Sequence, residues 1–138
     1  MKYRLVLRDD ISEIDRLSEF MDGVVADLSL EMTDAYNLHL ALEEACSNII
    51  RYAYPGDTGG QFVLDVQADS RQVVFTLTDK GIPFNPLENA PEVDTTLSAE
   101  QREIGGLGIF LIRSVMHSVD YQRRDDSNVF TMTYLRKQ

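Results

Sequence analysis

Two runs of strand-forming residues, 61–68 and 72–79, are separated by only Asp69-Ser70-Arg71. A connection that short joins strands as an antiparallel hairpin, because parallel neighbours need a crossover of a dozen residues or more. The rest of the chain must build around that hairpin. Residues 2–8 alternate well enough for another strand, and 118–124 and 128–136 form two more, linked near Asp125-Asp126-Ser127. Helical spacing fills the gaps. Ile14, Leu17, Met21, Val24, Val25 and Leu28 form one stripe, with Ser12 as the expected N-cap, Asp15 three residues on, and Gly23 as a weak point. Leu38, Leu42, Ala45 and Ile49 share a face of a second helix, capped by Thr33 and stopped near Tyr54 by Pro55-Gly56. Residues 107–117 are apolar on most sides, as in a helix buried against a sheet. The expected fold is a mixed α/β (α+β) two-layer sandwich, a mostly antiparallel sheet packed on helices.

At 138 residues, 43% of them hydrophobic, the chain suits a single domain, 1–138, with a real core. It contains no apolar run long enough to span a membrane, and Met1 to Asp10 is too polar for a signal peptide, so a cytoplasmic location is expected. The single cysteine, Cys46, excludes an internal disulfide and reads as a small buried hydrophobe. The net charge is −10, and Arg123-Arg124 is followed at once by Asp125-Asp126, so there is no basic stripe for nucleic acid. The acidic surface suits a basic protein partner or simply solubility.

Three short motifs carry the chemistry. In Glu44-Ala-Cys-Ser-Asn48, the outer two residues stand four apart and therefore project from one helix face, at the border of the apolar stripe. A partly buried carboxylate there can take a proton from a hydroxyl or water. An amide oxygen one turn away is a hard, neutral ligand suited to Mg²⁺. Glu43, about 100° away around the helix, is expected to be exposed. In Asp79-Lys-Gly81 a carboxylate ends a strand, where it can accept a hydrogen bond from an exocyclic amine and so favour adenine over guanine, while Gly81 lets a flat base or ribose approach the backbone. Gly105-Gly106-Leu107-Gly108 opens the last helix, where free N–H groups and the helix dipole suit phosphate. It lacks the Gly-Lys-Ser/Thr of a P-loop, and it follows a long loop, 80–104, rather than the first strand. That loop holds three of the four prolines and has the length of a functional lid. Taken singly, each motif also has an ordinary reading: a solvated helix face, an Asp-x-Gly turn, a helix start that needs small residues for packing. His39, His117 and Ser114 have no triad or metal-ligand arrangement around them, and Tyr52 and Tyr54 read as packing residues, Tyr52 on the pocket side.

In this order, Glu-x-x-x-Asn, Asp-x-Gly, lid and Gly-x-x-Gly, the motifs resemble the histidine-kinase-like ATP-binding fold shared by gyrase, a heat-shock chaperone, sensor histidine kinases and the mismatch-repair ATPase. Within it, Leu42-Glu-Glu-Ala-Cys-Ser-Asn-Ile-Ile and Ile104-Gly-Gly-Leu-Gly-Ile-Phe-Leu resemble the bacterial anti-sigma serine/threonine protein kinases. The resemblance implies ATP and Mg²⁺ held between helix and lid. It implies Glu44 as general base, Asn48 as Mg²⁺ ligand, Asp79 as the adenine-reading aspartate with Gly81 beside it, and Gly105, Gly106, Leu107 and Gly108 as the phosphate loop. Thr131 matches a threonine near the adenine. A small anti-anti-sigma (STAS-type) domain is the implied phosphoryl acceptor, a sigma factor the second partner, and the first helix a surface for homodimerisation. Where many members carry a histidine four residues after the asparagine, this chain has Tyr52. A nucleotide-binding regulatory module without kinase activity and a stand-alone ATPase are the alternative functions.

Overall fold

The computed structural model describes residues 1–56, 59–88 and 104–137, with the side chains of the last stretch from 108 onward. The elements run β1 (Lys2–Arg8), α1 (Ile14–Leu28), α2 (Met32–Tyr52), β2 (Gln61–Ala68), β3 (Gln72–Asp79), α3 (Ile104–Val115), β4 (Ser118–Arg124) and β5 (Ser127–Leu135). The five strands form one sheet in the order β1-β2-β3-β5-β4, with every neighbouring pair antiparallel. The expected hairpin is β2–β3, in which Leu64 faces Leu77 and Phe62 faces Asp79.

Strand alternation decides which side is core. Phe62, Leu64 and Val66 of β2, Val73, Phe75 and Leu77 of β3, and Phe130, Met132 and Tyr134 of β5 all point to one face and are buried. Against them pack Leu17, Met21 and Val24 from α1, Leu38, Leu42 and Ala45 from α2, and Ile112 from α3. Each such large side chain contributes about 1.5–3 kcal/mol by leaving water. Of the expected α1 stripe, Leu17, Met21, Val24 and Leu28 are buried and Ile14 and Val25 half-buried, while Gly23 lies on the exposed side with open space around it.

The helix starts differ from the sequence expectation. Ser12 is not a cap: its N–H donates to Asp10 Oδ1 at 3.0 Å, and Asp10 caps a single 3₁₀ turn, Ile11–Glu13, that leads into α1. Glu13, the residue before α1, is buried and turns back to β1. Its Oε1 accepts from Arg8 N at 3.0 Å and Arg8 Nε at 3.1 Å, and Arg16 Nη1 lies 3.1 Å from both carboxylate oxygens. The Arg8 amide, followed by the two guanidiniums, holds the Glu13 carboxyl below the usual carboxylate range despite its burial. Thr33 likewise lies inside α2, whose N-cap is Glu31 with no side-chain hydrogen bond.

The end of α2 is bonded to the end of β3. Ala53 O accepts Ile82 N at 2.9 Å. The Tyr54 hydroxyl accepts Lys80 N at 2.9 Å and donates to Gln61 O at 2.5 Å. Gly81 packs so closely on the Ala53 carbonyl that a methyl group at 81 would overlap it. Gly81 is therefore required by crowding against backbone.

Candidate functional site

α2 places its two polar residues as the spacing requires. Asn48 is 5% exposed, and its Oδ1 is buried with no hydrogen-bond partner. Glu44, one turn earlier, is half-buried, and its Oε2 is also buried without a hydrogen bond. Arg51 Nη2 stands 4.0 Å from that oxygen, close enough for charge attraction and too far to bond it. Two unbonded acceptors on one helix face are costly, about 1–3 kcal/mol each. Such groups call for a bound ion, water or ligand. Glu43 is half-buried rather than exposed.

α3 closes over this face. It begins at Ile104, three residues earlier than the apolar pattern indicates, so Gly105, Gly106 and Leu107 fall in its first turn and Gly108 in its second. The N–H groups of a first helical turn have no partner inside the helix and suit an anion. A Cβ placed on Gly108 would overlap Glu44 Oε2 and lie 3.2 Å from Glu44 Cδ. Gly108 and the Glu44 carboxylate are thus in direct apposition.

At the end of β3, Asp79 is 4% exposed. Burial raises its carboxyl above the usual range, against the opposing pull of two hydrogen bonds and the nearby Arg123. Its Oδ1 accepts Gly81 N at 2.9 Å and Asn128 Nδ2 at 2.9 Å. Arg123 Nη1 donates to Gly81 O at 2.8 Å and braces the same turn. Asn48, Asp79, Asn128 and Tyr121 line one cavity together with Ala45, Ile49, Phe84 and Phe130. The cavity has apolar walls with a few convergent polar groups, the kind of lining small-molecule sites use, and encloses about 20 Å³, room for a water-sized group. Residues 80–88, the described part of the 80–104 lid, contribute Phe84 and Pro86; the remainder up to 103 lies outside the described residues. Tyr52 stacks on Phe84, with ring centroids 5.0 Å apart and an interplanar angle of 26°, so it supports the cavity wall as a packing residue on the pocket side.

Thr131 is a correction. Phe130 and Met132 face the helices, so Thr131 points to the opposite side of the sheet and cannot approach the cavity. The polar β5 residue that does line it is Asn128, which none of the sequence motifs includes. Its signal was a polar residue at an inward position of an otherwise apolar alternation, 128-130-132-134. The remaining candidates stay outside the site. Cys46 is fully buried, and burial pushes its thiol far up. His39 bridges helices, with Nδ1 2.9 Å from Ala35 O and Nε2 3.0 Å from Asp22 Oδ1. His117 is exposed, and the Ser114 hydroxyl donates to Leu111 O at 2.7 Å. Among the described residues no helix is long and apolar enough to cross a membrane.

Comparison with known proteins bears on family and fold. Residues 8–134 match the family model of the histidine kinase-like ATPase domain. The chain belongs to that family. Among the relatives of this ATPase domain, the serine/threonine-protein kinase BtrW of Bordetella bronchiseptica is 31% identical over 98 residues, covering 71% of this chain and 68% of the relative. The serine-protein kinase RsbW of Listeria monocytogenes is 23% identical over 137 residues, covering 97% and 86%. Among solved structures, the RsbU and RsbW domains of a Mycobacterium tuberculosis protein match all of this chain with a TM-score of 0.70 at 13% identity. This chain spans 33% of that larger one. The histidine kinase domain of a blue-light activated kinase from Erythrobacter litoralis matches 90% of this chain and 59% of its own length, with a TM-score of 0.52 at 11% identity. At such identities the structural likeness speaks for the fold, which among the described residues has five antiparallel strands and three α-helices.

Proposed function

We propose that this chain is an ATP-dependent serine/threonine protein kinase acting as an anti-sigma regulatory switch. Its acceptor would be a hydroxyl on a small anti-anti-sigma (STAS-type) partner, with a sigma factor as the alternative partner of a homodimer. The observation that carries the reading is the pair of buried, unbonded oxygens, Glu44 Oε2 and Asn48 Oδ1, on a helix face apposed to the glycine start of α3. The kinase names of the relatives and the anti-sigma kinase resemblance of the Leu42–Ile50 and Ile104–Leu111 segments supply the reaction class and the partners.

The residues divide the work along the nucleotide. Asp79 accepts a hydrogen bond from the adenine amine, and Phe84, Ile49 and Phe130 bury the ring faces. The glycine amides of α3 hold phosphate oxygens. Asn48 Oδ1 is a hard oxygen with nothing bonded to it, which fits Mg²⁺. When bound, that ion would offset the charge on the phosphates. Glu44 takes the proton of the acceptor hydroxyl as its oxygen bonds to the γ-phosphorus and the bond to the ADP oxygen breaks. Arg51 stands 4.0 Å from Glu44 Oε2 without bonding it, so that oxygen's lone pairs stay available.

Incubation with γ-labelled ATP and a candidate acceptor protein tests the reading. Label on a serine or threonine of the acceptor supports a kinase. Phosphate release with no acceptor present supports an ATPase, and ATP binding with neither supports a regulatory module. In the kinase case, Glu44→Gln is expected to keep ATP binding and to lose at least about 10²-fold in phosphotransfer. Retained turnover would remove Glu44 as the base.

A further inference from the structure

Asn128 is a buried amide, 4% exposed, on the inward face of β5 and directly across from Asp79 in the strand register. All its hydrogen-bonding capacity is used. Nδ2 donates to Asp79 Oδ1 at 2.9 Å and to Ile82 O at 2.8 Å. Oδ1 accepts from the Tyr121 hydroxyl at 2.5 Å and from Phe84 N at 3.3 Å. An amide offers two donors and two acceptor lone pairs, so this is its full complement. The partners also fix its orientation. A flipped amide would set Oδ1 against a carboxylate and a carbonyl, and Nδ2 against an N–H.

The consequence falls on Asp79. Among the described residues, the hydrogen bonds to its carboxylate, from Asn128 Nδ2 and Gly81 N, both end on Oδ1. Two donors on one oxygen fix the plane of the group and leave Oδ2 as the acceptor for a ligand. The same amide grips Ile82 and Phe84, at the root of the 80–88 segment, and Phe84 is a wall of the cavity. One side chain therefore holds the hydrogen-bonding edge of the pocket and its flat wall in a single frame.

We propose that Asn128 is the positioning residue that sets base selectivity: it commits one oxygen of Asp79 and so presents the other to an exocyclic amine, which rejects bases carrying a carbonyl at that position. The proposal rests on the nucleotide-site reading above. ATP and ITP test it, because they carry the same phosphates and differ in the base only by amine against carbonyl. In titration calorimetry, the wild-type protein is expected to prefer ATP by about tenfold or more, the value of a hydrogen bond to a charged acceptor. Asn128→Ala should shrink that ratio at least about threefold. Asn128→Asp keeps the shape and the acceptor oxygen but loses the donor, and should shrink it as much. Any added repulsion of phosphate in that variant cancels in the ratio. Tyr121→Phe removes one bond from Asn128 while keeping the ring, and should lower the ratio by a smaller, measurable amount. It carries the test if both Asn128 variants fail to fold. A structural role alone would weaken both nucleotides together and leave the ratio intact. An unchanged ratio in every folded variant overturns the proposal while leaving the nucleotide site standing. A wild-type protein that binds neither nucleotide sinks both.

Discussion

Replacing Gly108 by alanine should make the protein more stable and less active at once. Gly108 sits inside α3, where glycine costs roughly 0.5–1 kcal/mol relative to alanine. The atom its new methyl meets is the far end of the Glu44 side chain, which can rotate away. The helix gain should therefore survive largely intact and raise the melting temperature by about 1–4 °C for a chain of this size. Catalysis should move the other way. Opening the overlap to ordinary van der Waals separation displaces the Glu44 carboxylate by roughly 1 Å. A displacement of that size in a reacting group costs on the order of 10²-fold. The assays are thermal unfolding followed by circular dichroism, and phosphotransfer from labelled ATP to the acceptor under single-turnover conditions. Wild-type phosphotransfer in a well-folded Gly108→Ala protein would falsify the apposition of Glu44 and α3 as a working geometry. A fall in melting temperature of several degrees would show that the carboxylate has nowhere to go.

Three other outcomes follow from the same site. Asn48→Ala should weaken MgATP binding in calorimetry, with a smaller effect on ATP in chelator; equal losses in the two conditions would reject Asn48 as the cation's ligand. Gly81→Ala drives a methyl into the Ala53 carbonyl and should destabilise by about 1–3 kcal/mol, read as a lower denaturation midpoint at unchanged slope. Burial raises the Asp79 carboxyl, so between its unfolded and folded pKa values the native state carries the extra proton. Its contribution to stability is greatest below the unfolded value and falls as pH rises through the folded one. ATP binding has the opposite sign, because a protonated Oδ2 cannot accept from an amine: affinity should drop as pH falls through the raised value, and Asp79→Asn should abolish that dependence while keeping the fold. A pH-independent ATP affinity would contradict this assignment of the acceptor.

Much of the architecture was legible because its signals are periodic. The hairpin 61–68 and 72–79 and the strand 2–8 appear at the residues the alternation indicates, and β5 starts one residue early, at Ser127. Caps were less legible. Ser12 and Thr33 are good capping residues by type, yet Asp10 caps the 3₁₀ turn before α1, and Glu13 and Glu31 stand at the N-caps of α1 and α2 without a side-chain bond. Glu44, Asn48, Asp79 and Gly81 were legible as candidates because fixed spacing or a strand end marks them in the sequence. Asn128 was not, since it reaches the cavity through pairing with β3, a contact between residues far apart in the chain. Thr131 went astray on a matter of parity: its apolar neighbours Phe130 and Met132 already indicated that it faces away.

The junction between α2 and β3 has a mechanical consequence. Because the Ala53 carbonyl bonds Ile82 N and packs on Gly81 while the Tyr54 hydroxyl holds Lys80 N, the span from Asn48 to Asp79 is set by the fold before any ligand arrives. On the proposed reading, that part of the molecule is a caliper of fixed gap, with one tip for the metal end of a nucleotide and the other for its base. A ligand of another length would have to leave one tip empty.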